Sequence, residues 1–136
     1  MRILGIDHVA VCAPAIDEAL PPFVEMLGLA LAGREGVPAQ KTDAAFLVTG
    51  DAAGACIELI APQEGNAGLA KFLARRGTGL HHVAFRVEDV GASLAELLAR
   101  GVPLIDRVAR PGARGHRVGF LHPSACLGVL VELVGG

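Results

Sequence analysis

Four polar residues lie inside runs of apolar residues, and their types and spacing suit metal chemistry. They are His8, Glu58, His82 and Glu132. In each pair the histidine precedes the glutamate by 50 residues, and the second pair follows the first by 74 residues. A carboxylate in an apolar strand is costly to bury unless it is ion-paired or binds a metal. Two neutral imidazoles and two carboxylates favour Zn, Co, Ni, Mn or Fe over Ca, so the quartet predicts one divalent-metal site.

The competing interpretation of these four residues is structural. A single histidine on an apolar strand is more often a hydrogen-bonded core residue, and a single glutamate more often lies at a rim or in an ion pair. The repeated spacing of all four residues favours the metal site. A duplication that kept the residues without the metal is the remaining alternative.

The apolar residues around the quartet repeat at the same offset of 74. The matched segments are 5–11 with 79–85, 46–47 with 120–121, and 57–60 with 131–134. The chain is therefore a duplication. Neighbouring side chains of a strand point to opposite faces, so Glu58 and Glu132 lie opposite their apolar neighbours. A pseudo-twofold relation between the copies would bring both His–Glu pairs to one enclosed space.

Each copy predicts one helix after its first strand. In the second copy, apolar spacing predicts a helix over 89–100. The matching segment of the first copy, 15–28, contains Pro21 and Pro22. A proline belongs in the first turn of a helix, so either the regular helix begins near Pro21 or an earlier turn is kinked there.

The strands follow from short apolar runs. Residues 3–12 predict a first strand that is largely buried on both faces. The segments 29–32 and 102–105 predict the strand that follows each helix, and two more strands surround the repeated phenylalanine and glutamate. The order is βαβββ, twice, with a short amphipathic helix over 66–76 as the connector.

The 136 residues suit one domain, because each copy alone would be too small for a stable core. We expect a single domain over 1–136, with module 1 at about 1–62, a connector helix at about 66–76 and module 2 at about 79–136. A composition of 52% hydrophobic and 19% charged residues is sufficient for a shared core.

Several classes of protein are disfavoured by composition. A net charge of −2 gives no reason to expect a nucleic-acid partner, and the apolar runs are too short and broken to span a membrane. The N-terminus lacks the order of a signal peptide, so we expect a cytoplasmic protein. The three cysteines have no CxxC spacing and are interpreted as small buried apolar side chains.

Three other histidines and a cluster of arginines are further candidates for the site. His81 adjoins His82 but should point to the opposite face of its strand, so we exclude it as a metal ligand. His116 and His122 have no histidine partner in the first copy, which favours loop or rim positions. Arginines crowd one loop at positions 107, 110, 114 and 117, where a solvated loop and a phosphate-binding patch are both open interpretations.

These features together resemble the vicinal oxygen chelate superfamily, which includes glyoxalase I, extradiol dioxygenases and methylmalonyl-CoA epimerase. The resemblance covers essentially the whole chain. The segments that resemble the epimerase branch more narrowly are 6–10, 79–85, 115–123 and 128–133. The resemblance implies an α+β fold in which tandem βαβββ modules form a cupped eight-stranded mixed sheet.

The resemblance also implies a site and a reaction. One divalent ion per chain (Co, Zn, Ni, Mn or Mg) would be held by His8, Glu58, His82 and Glu132, and Glu132 would be the catalytic base. The expected activity is epimerisation of methylmalonyl-CoA through an enolate chelated by the metal. The epimerase branch can have Gln at the position of Glu58, so a glyoxalase I-type isomerase of a thiol hemithioacetal is the alternative enzyme. A non-catalytic small-molecule binding protein is a third hypothesis.

Inversion of the substrate carbon needs a second proton-transfer group. In the family this carboxylate lies a few residues after a Pro-x-Gln segment, and counting from Gln40 places Ala44 there. Asp43 is adjacent, but a shift of one residue turns its side chain to the other face of a strand. Asp43, Gln40 and a water molecule stay open as the second group.

The substrate implied by the resemblance is a small acyl-CoA. We expect Gln40, Arg114, His116 and Arg117 to contact it, because arginine clusters suit the phosphates of coenzyme A. No nucleic acid or membrane partner is expected. The resemblance also implies a homodimer.

Overall fold

The computed structural model describes residues 1–50 and 54–136, which contain eight strands and three α-helices. The first module comprises β1 (Gly5–Cys12), α1 (Ile16–Leu20), β2 (Ala30–Val37), β3 (Thr42–Val48) and β4 (Cys56–Pro62). Helix α2 (Ala67–Arg76) connects it to the second module. The second module comprises β5 (Gly79–Arg86), α3 (Val90–Ala99), β6 (Arg110–Pro111), β7 (Arg117–Leu121) and β8 (Val131–Gly135).

The two modules have the same strand topology. Hydrogen bonds order the first module β2-β3-β4-β1, and the second β6-β7-β8-β5. In each module the first and last strands are parallel, and the remaining pairs are antiparallel. The predicted α+β class, with tandem βαβββ modules and eight strands in mixed pairing, is confirmed.

The described chain divides into two compact units, one formed by 8–81 and the other by 1–7 with 82–136. Each unit has its own apolar core beneath a helix. In the first unit, α1 packs on alternate residues of β3 and β4, and the core consists of Ala13, Ile16, Ala19, Ala45, Leu47, Leu59 and Ala61. In the second unit, the core beneath α3 consists of Val87, Val90, Leu94, Leu97, Leu121, Val131 and Leu133.

The proline pair in the first helix changes the helix type. Helix α1 begins at Ile16, and the chain continues through a π-helical segment, Pro21–Met26, without an intervening loop. The helix therefore does not begin near Pro21, which was one of the two alternatives. Proline has no N–H to close the usual hydrogen bond to the residue four positions earlier, which accounts for the change of helix type at Pro21. Gly28, at a φ of 76°, then turns the chain towards β2.

Strand β1 is more deeply buried on one face than on the other. His8, Ala10 and Cys12 are buried on one face, and Val9 and Val11 on the other face are half-buried. Val11 packs against the core beneath α1.

The expectation of a regular strand directly after α3 was wrong. Within 102–105 only Leu104 forms a bridge, with Leu121, and the strand β6 lies at 110–111 instead. Pro103 cannot donate a hydrogen bond to a ladder. The amides of Ile105 and Asp106 both donate to the carbonyl of Phe120, at 3.0 Å, which is not the spacing of a regular ladder.

Helix α2 lies within the predicted range 66–76, with Asn66 as its N-cap. No α-helix in the described ranges is long and apolar enough to cross a membrane.

Candidate metal and active site

The first His–Glu pair lies on the two parallel strands of the first module. Ala10 of β1 is level with Glu58 of β4, so His8, two residues earlier, shares a sheet face with Glu58. His8 is 3% and Glu58 8% exposed. Nε2 of His8 is 3.0 Å from Oε2 of Glu58. A carboxylate is thus held beside an imidazole in an apolar sheet.

The second pair has the same register in the second module. Ala84 of β5 is level with Glu132 of β8, and His82 precedes Ala84 by two residues. Both members of the pair are buried. Nε2 of His82 and Oε1 of Glu132 are 3.8 Å apart, which is too long for a direct hydrogen bond between these atoms.

A phenylalanine lies beside each glutamate on the neighbouring antiparallel strand. Phe46 is level with Glu58, and Phe120 is level with Glu132. The ring of Phe120 meets that of His82 edge to face, at 5.1 Å between centroids. Each carboxylate therefore has an apolar residue on both adjacent strands, which limits the water around it.

These residues fit a divalent metal. Nitrogen and oxygen ligands at about 2.1 Å from one ion lie roughly 3 to 3.5 Å from each other, close to the separations in both pairs. His8, His82 and Glu132 are all buried and each offers a ligand atom. A buried carboxylate also needs a positive partner, which a cation supplies. That the two pairs share one ion stays a prediction.

His81 has a different environment from His82. Its ring lies edge-on to Phe72 of α2, with 4.8 Å between centroids. Burial, and secondarily the charge of Arg76, lower the pKa of His81 from its ordinary value. His81 thus packs against the connector helix, as strand alternation requires.

The arginine-rich loop is largely tied to its own module. The Nε of Arg110 is 3.2 Å from Oδ1 of Asp106 as an ion pair, although this N–H has no acceptor in hydrogen-bond geometry. Its guanidinium also lies 5.7 Å from the ring centre of Phe120. Nη2 of Arg117 donates to the carbonyl of Ala109 at 2.5 Å.

Arg114 is paired with Asp7, a residue that the sequence analysis did not assign. Nη2 of Arg114 donates to Oδ2 of Asp7 at 3.2 Å. The side chain of Arg114 is 38% exposed, whereas that of Asp7 is 10% exposed. Asp7 adjoins His8, and this adjacency was the one signal in the sequence.

Two other histidines lie near the arginine loop. His116 is half-buried and follows a 3-10 turn at 113–115. His122 is exposed, and its Nδ1 accepts from the amide of Ser124 at 3.1 Å. His122 thus caps the turn after β7, which agrees with the expected loop position.

Ala44, at the position where the family's second carboxylate is expected, lies in the β2–β3 hairpin. Ala44 is 1% exposed and is level with Ile60 of β4. It therefore lies on the same face as Glu58, and its neighbour Asp43 lies on the opposite face. Oδ1 of Asp43 accepts from Nε2 of Gln63 at 3.0 Å.

Asp43 borders a surface pocket of about 330 Å³ whose lining does not include His8 or Glu58. Its other lining residues are Ile16, Arg34, Glu35, Gly36 and Ala44. Asp43 lies on the sheet face that α1 covers, and Ile16 belongs to α1. We therefore place the candidate chemistry on the opposite face of the sheet, which carries the His–Glu pairs.

Gln40 ends the 3-10 turn of the hairpin and is half-buried. The backbone carbonyl of Gln40 accepts from the hydroxyl of Thr42 at 3.0 Å and from the side-chain Nδ2 of Asn66 at 3.2 Å. These contacts fix the backbone of Gln40 against the start of α2.

The cysteines are free thiols. Burial raises the pKa of Cys12 to about 11, so its thiolate is scarce near neutral pH. Cys56 and Cys126 are half-buried. The prediction of small buried apolar side chains is therefore confirmed for Cys12 but not for Cys56 and Cys126.

The fold and the paired histidines and glutamates agree with one superfamily of proteins. The family model of the Glyoxalase/Bleomycin resistance protein/Dioxygenase superfamily matches residues 7–120, and the chain belongs to this superfamily. This confirms the predicted membership, because these are the vicinal oxygen chelate proteins.

Individual relatives place the chain within the superfamily. The uncharacterized protein YqjC of Bacillus subtilis is 37% identical over 94% of this chain and 89% of its own length. The crystal structure of methylmalonyl-CoA epimerase from Mycobacterium tuberculosis is 35% identical, covers 98% of this chain and 88% of that one, and has a TM-score of 0.89. A methylmalonyl-CoA epimerase in complex with methylmalonyl-CoA and NH4+ is 31% identical, covers 99% and 96%, and also has a TM-score of 0.89.

Proposed function

We propose that this protein is a metal-dependent isomerase that epimerises methylmalonyl-CoA. One observation carries the proposal: a buried His–Glu pair occurs in the same strand register in both modules. The similarity to methylmalonyl-CoA epimerases over nearly the whole chain supports this choice of substrate.

The proposed ligands are His8, Glu58, His82 and Glu132, which together supply two imidazoles and two carboxylates. This donor set suits a borderline divalent ion such as Co, Zn, Ni or Mn, and Mg stays open. When bound, the ion supplies Lewis-acid chemistry that polarises the carbonyl oxygens of the thioester and lowers the pKa of the α-proton.

Glu132 is the proposed base. Its carboxylate is buried between Ala84 and Phe120, so few water molecules compete with the substrate for it. A base must reach within about 3 Å of the proton that it removes. The register of β8 between two strands fixes the direction of this side chain, which prepares it for that approach.

The same proposal assigns the coenzyme A tail to Gln40, Arg114, His116 and Arg117. Arg114 and Arg117 are exposed enough to receive a phosphate while their internal contacts hold the loop in place. Guanidinium groups bind phosphate through paired hydrogen bonds. A homodimer and a cytoplasmic location belong to the proposal as well.

The test is solvent exchange in D2O. We expect the metal-loaded protein to incorporate deuterium at the α-carbon of methylmalonyl-CoA and to interconvert its two epimers, and we expect chelation to abolish both activities. Mass spectrometry measures exchange, and chiral analysis measures epimerisation. Protein with stoichiometric metal that does neither would refute the proposal.

A glyoxalase I-type isomerase is the second candidate, and one residue favours it. Glu58 supplies a carboxylate where the epimerase branch can have an amide, and it lies 3.0 Å from His8. Conversion of a methylglyoxal hemithioacetal without exchange into methylmalonyl-CoA would select this candidate. Tight binding of a small ligand with no turnover of either substrate would instead select the binding-protein hypothesis.

A further inference from the structure

Epimerisation requires two proton-transfer groups, and the chain lacks one at the expected position. Glu132 can serve one face of the substrate carbon, whereas Ala44 has a methyl group where the family has its second carboxylate. Strand β3 cannot supply the group from its neighbouring residue, because Asp43 points to the face covered by α1. A carboxylate for this role therefore has to come from another element.

Strand β2 places a carboxylate directly beside Ala44. In the antiparallel β2–β3 pair, Glu35 is level with Ala44, and the register runs without a shift from Gly33 to Val37. Side chains of directly opposed residues lie on the same face, with Cβ atoms about 5 Å apart. Glu35 therefore shares the face of Ala44.

The same face carries the first His–Glu pair. Ala44 is level with Ile60, and Glu58 precedes Ile60 by two residues on β4. Glu35, Ala44 and Glu58 therefore point to one side of the sheet. Normal strand spacings put the Cα atoms of Glu35 and Glu58 about 12 Å apart, which leaves room between their carboxyl groups for a small acyl unit.

The environment of Glu35 suits a proton-transfer group. Glu35 is half-buried, whereas Arg34 and Gly36 on either side of it are exposed. Ala44 beside it has only a methyl group, so no other carboxylate occupies this part of the face. A carboxyl group in this position keeps contact with solvent, from which it can recover a proton.

We propose that Glu35 is the second proton-transfer residue, replacing the carboxylate absent at position 44. This inference rests on the proposed epimerase function. In one direction, the Glu132 carboxylate removes the α-proton, and the C–H electron pair remains in the thioester enolate. The carboxylic acid of Glu35 then donates its proton to the opposite face of the carbon. After this step Glu132 is protonated and Glu35 is ionised. Proton exchange with water returns both groups to their starting states. For the opposite epimer, Glu35 removes the α-proton and Glu132 donates one.

Glu35→Gln tests the inference because it keeps the size of the side chain and removes its acid–base function. We expect epimerisation to fall by about 100-fold or more. In this variant, the epimer whose α-proton faces Glu132 should still exchange that proton for deuterium, with retention of configuration. Exchange into the other epimer should be lost with epimerisation.

Asp43→Asn is the matched control, since it removes an adjacent carboxylate that points to the other face. It should epimerise at the wild-type rate. A Glu35→Gln variant that epimerises within about threefold of wild type would refute the role of Glu35 alone. If wild type itself neither exchanges nor epimerises, the proposed function fails first and this inference fails with it.

The double variant Glu35→Gln/Ala44→Glu separates catalysis from structure. It returns a carboxylate to the same face, one strand closer to Glu58, and should regain at least about tenfold of the lost epimerisation. Equal loss of exchange into both epimers, with no regain in the double variant, would mean that Glu35 acts structurally and would overturn the inference.

Discussion

At the residue scale, His81 and His82 show how adjacent identical side chains acquire different roles. His82 is buried beside Glu132, whereas the ring of His81 packs against Phe72 of the connector helix. The difference comes from strand alternation alone.

We expect His82→Ala to lose most of its bound metal, because one of four ligands is removed. His81→Ala should retain most of it, since its side chain leaves the sheet on the other side. Metal content after gel filtration, measured by plasma mass spectrometry, checks both variants, with circular dichroism confirming the fold. Equal loss in two folded variants would reject His82 as a ligand.

Cysteine reactivity gives a second prediction at this scale. Burial raises the pKa of Cys12 to about 11, so at pH 8 only about one molecule in a thousand carries the thiolate that alkylating reagents attack. In folded protein, iodoacetamide should therefore label Cys56 and Cys126 well before Cys12. Peptide mass mapping over time measures the order, and all three should react alike in urea. Early labelling of Cys12 in the native state would contradict its burial.

At the element scale, the N-cap residue of α2 also forms hydrogen bonds to another element. Oδ1 of Asn66 accepts from the amide of Leu69, and its Nδ2 donates to the carbonyl of Lys41 at 2.9 Å. Lys41 has a left-handed backbone, with φ at 50°, at the end of the hairpin turn. The cap therefore ties α2 to the β2–β3 hairpin that carries Glu35 and Ala44.

We expect Asn66→Ala to lower the free energy of unfolding by about 2 kcal/mol, since it removes a cap and the hydrogen bonds to the hairpin carbonyls of Gln40 and Lys41. Asp89→Ala is the matched control, because Asp89 only caps α3 through the amide of Ala92. Its expected cost is about 1 kcal/mol. Urea denaturation measures both, and an equal cost would show that the bonds to the hairpin contribute nothing.

At the scale of the whole molecule, the proposed ion would bind residues of both modules. A ligand that binds only the folded state stabilises it in proportion to the logarithm of its concentration over its Kd. Chelation should therefore lower the melting temperature of the wild-type protein by several degrees, and added Co or Zn should restore it. His82→Ala should melt at the same temperature with and without chelator. A chelator effect of equal size in that variant would place the stabilising ion elsewhere.

The sequence alone determined the duplication, the βαβββ order and the four candidate ligands. Periodic apolar runs and repeated spacing are local properties, and they are visible along a chain without knowledge of its contacts. The sequence also located Ala44 at the position of a missing carboxylate. It could not identify β6, because the residues at 102–105 are apolar enough for a strand but are bonded irregularly to Phe120.

Only the tertiary structure decided which residues are paired across neighbouring strands. The register pairs Glu58 with Phe46 and Glu35 with Ala44, and a shift of one residue would have moved each to the other face. Likewise, the ion pair of Arg114 with Asp7 joins residues far apart in the chain. Such pairings depend on turn geometry and on packing of the whole sheet, which local composition does not encode.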